Sequence, residues 1–178
     1  MAIVAACDEN KLPAEPALLI SNNVDAAVLT WGKEKGILTR HISSNTHPDA
    51  NERDIEICSF LQEHNIDWVV LAGYMKKVGE KTLTEFAGRI VNIHPSLLPK
   101  YGGQGMYGMH VHEAVLAAGE IESGVTIHHV TSDYDEGSII LQESVPVLPD
   151  DTPETLAASV LQLEHRLYTK ALEQLMVN

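Results

Sequence analysis

Apolar residues fall along this chain in two distinct periods. Short unbroken runs, "ALLIS" (17–21), "DWVVLAGY" (67–74) and "RIVNIH" (89–94), are separated by longer stretches with apolar residues every three or four positions. Unbroken runs of this length predict strands buried on both faces, as in a parallel sheet covered by helices. "ILTRHI" (37–42) is a weaker run of the same kind. The longer stretches predict helices. One runs through "NVDAAVLTWGKEKG" (23–36), with Asn23 as cap and Gly36 as stop. A second runs through "DANERDIEICSFLQEHN" (49–65), with Ile55, Cys58, Phe60, Leu61 and His64 at near-helical spacing, and a third covers "HEAVLAAGE" (112–120).

Towards the C-terminus the period changes. "SGVTIHHV" (123–130) and "GSIILQESVPV" (137–147) alternate apolar with polar, with "TSDYDEG" (131–137) between them. Alternation predicts half-buried strands, here pairing with each other at one side of the sheet. A last helix is predicted from Pro153 to Met176, with Thr152 as N-cap and Pro153 in the first helical position. The order predicts an α/β domain: a mainly parallel twisted sheet, helices on both faces, and an antiparallel C-terminal strand pair. At 178 residues, without repeats or linkers, residues 1–178 read as one domain.

Composition narrows the function. The formal net charge is −13, which argues against nucleic acid and anionic membranes as partners, because phosphate binding relies on clustered Lys and Arg. A local positive pocket for one small anion remains compatible with it. No apolar run approaches the ~20 residues of a membrane span. Two cysteines, Cys7 and Cys58, in neither metal nor disulfide spacing, point to a reducing cytoplasm. The opening "MAIVAACDEN" lacks a basic stretch and does not read as a signal peptide.

The candidate chemistry lies where strands give way to loops. Asn92 and His94, two apart on a strand, share a face at its carboxyl end, where ligands of open α/β sheets bind. An amide N–H and an imidazolium together suit a developing oxyanion, as in acyl transfer. His94 also fits a purely structural reading near a loop. "TSDYDEG" reads as a turn, or as the source of a carboxylate, Asp135, that orients and charges a histidine. His110 with His112, and His128 with His129, invite a metal site. However, the first pair does not share a helix face and the second points to opposite sides of a strand, so no metal is expected. One of His128 and His129 is expected to face the interior or the site. "AGYMKKVG" (72–79) reads as a solvated turn or as a ligand border.

Taken together, "LAGYMKKVG", "GRIVNIHPSLLPKYGG", "SGVTIHHVTSDYDEGSIILQESVPV" and "LEHRLY", in this order, resemble the phosphoribosylglycinamide formyltransferases. These are folate-dependent enzymes of purine synthesis with the formyltransferase fold. The resemblance covers nearly the whole chain, and its Asn-x-His-Pro-Ser-Leu-Leu-Pro motif is specific to that superfamily. It implies formyl transfer from 10-formyltetrahydrofolate to the amine of glycinamide ribonucleotide, in the cytoplasm and without a metal. Asn92 and His94 would bracket the formyl carbon, with His94 as general acid, while Asp135 would hold the histidine cationic and assist proton transfer. Met75, Lys76, Lys77 and Val78 would border the folate, as would Thr131, Ser132, Asp133, Tyr134 and Asp135, with Asn92 beside them. Leu161, Gln162, Leu163 and Glu164 would bind the ribonucleotide. A homodimer is compatible with the resemblance. Lys76 stands where the family often has arginine, keeping the charge without the planar fork.

The family's first strand and its glycine-serine phosphate loop find no counterpart. "MAIVAACDENKLPAEPALLISNN" lines up with the family's first helix, although by period alone "AIVAA" fits a strand. The expectation is a domain truncated at its N-terminus relative to the family, with unpaired backbone on the neighbouring strands and weak phosphate binding. Two alternatives follow: a formyltetrahydrofolate hydrolase-like enzyme with water as acceptor, or a catalytically silent folate-binding homologue. Relatives acting on methionyl-tRNA are disfavoured by the acidic charge. The loop from Gly102 to Met109 reads either as a flap near the substrate or as a surface loop.

Overall fold

The computed structural model describes residues 1–176. Its first half comprises α1 (Ala2–Asp8), β1 (Leu18–Ser21), α2 (Ala27–Glu34), β2 (Leu38–His41), α3 (Ala50–Glu63), β3 (Val69–Leu71) and α4 (Glu80–Glu85). Then come β4 (Ile90–His94), α5 (Met109–Ala117), β5 (Glu122–His129), β6 (Ile139–Pro146) and α6 (Pro153–Met176). The opening segment is thus a helix, against its strand-like period. α4 was hidden in the sequence because six residues are too few to establish a period.

One helix boundary moves for a local reason, while α3 and α6 fall where the sequence placed them. Asn23 does not cap α2; its side chain accepts the Asp25 N–H at 3.1 Å, forming a turn that postpones the helix to Ala27. Gly36, at φ +74°, does stop it. α3 is capped by Asp49, which accepts the N–H groups of Asn51 and Glu52. On that helix Cys58, Phe60 and Leu61 are buried, whereas Ile55 is exposed on the opposite face. α6 spans Pro153 to Met176 as read from the sequence, and Thr152 accepts the Thr155 N–H at 3.3 Å.

The strands form two hydrogen-bonded groups, β1–β2 and β3–β4–β5–β6. β1 pairs with β2 and β3 with β4 in parallel, while β4 with β5 and β5 with β6 run antiparallel. The sheet is therefore mixed, and the antiparallel part extends one strand further in than the C-terminal pair. One edge of β1 and one of β3 have no strand partner among the described residues. The two groups are joined by packing instead. Leu18 and Ile20 of β1 and Val69 and Leu71 of β3 meet Cys58, Leu61, Phe86 and Ile90 in a single cluster. On the other face α6 buries Leu156, Val160, Leu163, Leu167, Ala171 and Leu172 against Val91, Val125 and Ile127.

Two sets of polar contacts tie neighbouring elements to β3 and β4. Asp54 on α3 accepts the N–H groups of Lys81 (2.8 Å) and Thr82 (3.2 Å), anchoring the start of α4 and with it the loop leaving β3. From α6, the Tyr168 hydroxyl lies 2.8 Å from the Leu71 carbonyl at the end of β3 and 3.1 Å from the Val91 carbonyl in the first half of β4. Tyr168→Phe leaves both carbonyls without that donor. We expect a loss of about 1–2 kcal/mol in unfolding free energy by denaturant titration; an unchanged midpoint would show that these strands are held by packing alone.

Candidate active site

β4 ends with Asn92 and His94 on one face, and the antiparallel register brings β5 directly opposite, pairing Asn92 with His128 and His94 with Thr126. Thr126 is fully buried and organises the loop that leaves β4. Its hydroxyl donates to the Ser96 carbonyl at 2.6 Å and accepts the Leu98 N–H at 3.1 Å and the Gln142 amide at 2.8 Å. The loop then turns back so that the Tyr101 carbonyl lies 2.7 Å from His94 Nε2. Tyr101 adopts φ +55°, costly for a bulky residue. It is held from both ends: its carbonyl by His94, and its hydroxyl by Glu120 at 2.9 Å.

Asp135 completes the group from the β5–β6 loop, at φ +58°, a left-handed conformation that aspartate tolerates better than most residues. One carboxylate oxygen lies 3.5 Å from His94 Nδ1 and accepts the Gly103 N–H at 2.9 Å, while the other lies 3.5 Å from His128 Nε2. Asn92 Nδ2 is 3.3 Å from that same His128 nitrogen. His94 and His128 are both buried, and the Asp135 side chain is 10% exposed.

Electrostatics sets the resting protonation. Burial lowers the His94 pKa below its ordinary 6.5, against the opposing pull of Asp135 and the Tyr101 carbonyl, with His128 adding to the lowering. Burial of the ring thus opposes the charging of His94 that Asp135 was expected to favour. Burial pushes the Asp135 carboxyl up, but the neighbouring His128 and His94 rings and the Gly103 N–H outweigh it and leave the group below its ordinary value. Since a carbonyl can only accept, His94 Nε2 carries a proton, and its chemistry is left to Nδ1.

The residues expected to border a folate come together at the next loops. Lys77 lies 3.8 Å from Asp133 and over the Tyr134 ring at 5.3 Å, tying the loop after β3 to the loop before β6. Met75 is half exposed, and its terminal methyl lies 3.9 Å from where a Cβ on Gly108 would stand, so the Gly102–Met109 loop reaches the same border. Lys76, Thr131 and Ser132 are exposed there, while Val78 turns towards the α3–α4 cluster. Of the four α6 residues, Leu161 and Gln162 are exposed and Glu164 is partly buried, with its carboxyl raised by desolvation. Leu163 is corrected to a core residue, since four consecutive helical residues cannot share one face.

Sequence reasoning missed how far His128 enters the site. The alternating strand indicated that one of His128 and His129 points inward, but not that the strand opposite carries Asn92. His112, also buried, leaves Nδ1 without a hydrogen-bond partner; His110 is exposed beside Glu113. Among the described residues no group of three or more His, Cys, Asp or Glu is arranged to hold a metal.

Comparison with known proteins places this geometry in context. The family model "Formyl transferase" matches residues 1–172. The chain is 38% identical over 165 residues to a chloroplastic phosphoribosylglycinamide formyltransferase of Arabidopsis thaliana, covering 92% of this chain and 56% of that protein. It is 39% identical over 171 residues to the phosphoribosylglycinamide formyltransferase of Haemophilus influenzae, covering 93% and 76%. The chain thus spans just over half the length of the plant relative. The crystal structure of the Bacillus halodurans phosphoribosylglycinamide formyltransferase superposes with a TM-score of 0.91 at 41% identity, over 98% of this chain and 87% of that one.

The lowered His94 pKa has a consequence for stability. Below pH 6.5 the unfolded chain binds a proton at His94 that the folded chain resists, so stability falls with pH. The contribution is fully present above 6.5 and is lost as pH drops towards the folded value. His94→Gln is expected to flatten the slope of unfolding free energy between about pH 6.5 and 5. An unaltered slope would mean that His94 titrates normally.

Proposed function

The chain belongs to the formyl transferase family, and from that premise we propose that it transfers a formyl group from 10-formyltetrahydrofolate to the amine of glycinamide ribonucleotide. The observation that carries this reading is the convergence of Asn92 and His94 on one face of β4, with Asp135 opposite. Attack by the amine on the formyl carbon creates a tetrahedral intermediate whose oxygen gains charge, and the Asn92 amide N–H stabilises it. The amine must lose a proton, and the departing folate nitrogen must gain one. His94 Nδ1, unprotonated in the neutral ring, takes the first. Asp135 stabilises the imidazolium so formed, which then acts as general acid towards the leaving nitrogen.

The contacts of Lys77 with Asp133 and Tyr134 support a folate cleft between the two loops. Glu164, partly buried beside Tyr168, suits the hydroxyl groups of a ribonucleotide. The same reading includes a cytoplasmic setting, which the two free cysteines favour, and a homodimer. A metal has no part in it, because the folate carries the one-carbon unit.

The test is an assay with 10-formyltetrahydrofolate, with and without glycinamide ribonucleotide. Product should require the amine, and Asn92→Ala, His94→Ala and Asp135→Asn should each lower kcat by about 100-fold or more, with calorimetry still detecting the folate in each variant. Formate release independent of the amine would replace transfer by hydrolysis, and folate binding without turnover would leave only a binding protein.

A further inference from the structure

His128 is buried, and each of its nitrogens has a defined neighbour. Nδ1 lies 2.9 Å from the His129 carbonyl, which can only accept, so this nitrogen carries a proton. That carbonyl is itself fixed. The His129 N–H donates to the Ser138 carbonyl at 3.0 Å, and Gly137 sits so close that a Cβ there would stand 1.6 Å from the His129 oxygen. A register shift in the β5–β6 pairing falls between Ile127 and His128, and such bulges re-aim side chains. With Nδ1–H pinned, the neutral ring has a bare lone pair at Nε2, 3.3 Å from the Asn92 amide nitrogen.

An asparagine amide can present either end, and only the N–H end stabilises an oxyanion. We propose that His128 is the positioning residue for Asn92: its pinned ring accepts one amide N–H and so leaves the second N–H of Asn92 Nδ2 for the reacting oxygen. Asp135 faces the same nitrogen at 3.5 Å, and one nitrogen cannot accept from Asn92 while donating to Asp135. The titratable groups around the ring are Asp135 from the β5–β6 loop and His94 from β4. This assignment deepens the formyl-transfer reading and rests on it for its kinetic consequence, but not for its geometry.

Two measurements test it. Nitrogen-detected NMR of the wild-type chain at about pH 8, above the ordinary histidine range, should find His128 protonated at Nδ1 and bare at Nε2. The opposite tautomer, or a doubly protonated ring, overturns the proposal whether or not the chain transfers formyl groups. In the kinetic arm, His128→Asn keeps a donor to the His129 carbonyl but has nothing at the Nε2 position, whereas His128→Gln places an amide oxygen there. His128→Asn should lower kcat about tenfold or more with little change in KM, and His128→Gln should recover most of it. Equal losses in both variants, or none in His128→Asn, overturn it. A wild-type chain with the expected tautomer but no transfer activity would sustain the inference and remove only the formyl-transfer reading.

Discussion

The site depends on the antiparallel pairing of β4 with β5. Without it Asn92 and His94 would be two polar residues at the end of a buried strand, each requiring its own hydrogen-bond partners. The pairing sets Asn92 against His128, 3.3 Å away, and brings Thr126 beside His94, where its hydroxyl holds the loop leaving β4. Leaving buried polar groups unpaired costs more than pairing them gains. The register is therefore fixed by polar satisfaction here as much as by the apolar faces on either side. A shift of one residue would turn His128 away from Asn92 and put Thr126 out of reach of the Ser96 carbonyl.

Around this pairing, hydrogen bonds to backbone carbonyls remove the freedom of both histidines. His94 is held through Nε2 by Tyr101, His128 through Nδ1 by His129. Each ring is left with one nitrogen for chemistry, and both of those nitrogens face Asp135 from opposite sides. The carboxylate can stabilise a proton on His94 Nδ1, while the His128 nitrogen is committed to the Asn92 amide. Burial keeps His94 from holding that proton permanently, so it is free to take one from an attacking nucleophile and release it later.

Much of this was legible in the sequence. The same-face spacing of Asn92 and His94 follows from the geometry of any strand, and Asp135 was singled out within an acidic turn. The C-terminal helix declared itself through Thr152, Pro153 and a long helical period. What could not be read was pairwise. No local pattern states that β5 lies beside β4, so the role of His128 stayed at one of two neighbouring histidines pointing inward. The carboxylate near His94 is visible in sequence, whereas the depth of burial that opposes its effect on the ring is not. Leu163 was grouped with Glu164 by proximity in the chain, although helical geometry turns it into the core. Asn23 looked like a helix cap, but its side chain closed a turn with Asp25 instead.

The division of the strands into two hydrogen-bonded groups bears on how the site is supported. All the residues assigned to the reacting centre lie on β4, β5 or the loops beside them, within the four-stranded group, and Tyr168 of α6 bridges β3 and β4. β1 and β2 reach that group through the side chains of Leu18 and Ile20 in the cluster shared with β3, not through a ladder of backbone bonds. Side-chain packing without ladder bonds is the weaker coupling, and segments held in that way open at lower free energy than strands paired on both sides. The reacting centre is therefore built on the part of the fold whose strands are continuously bonded, and the β1 edge is coupled to it through the apolar cluster under β3.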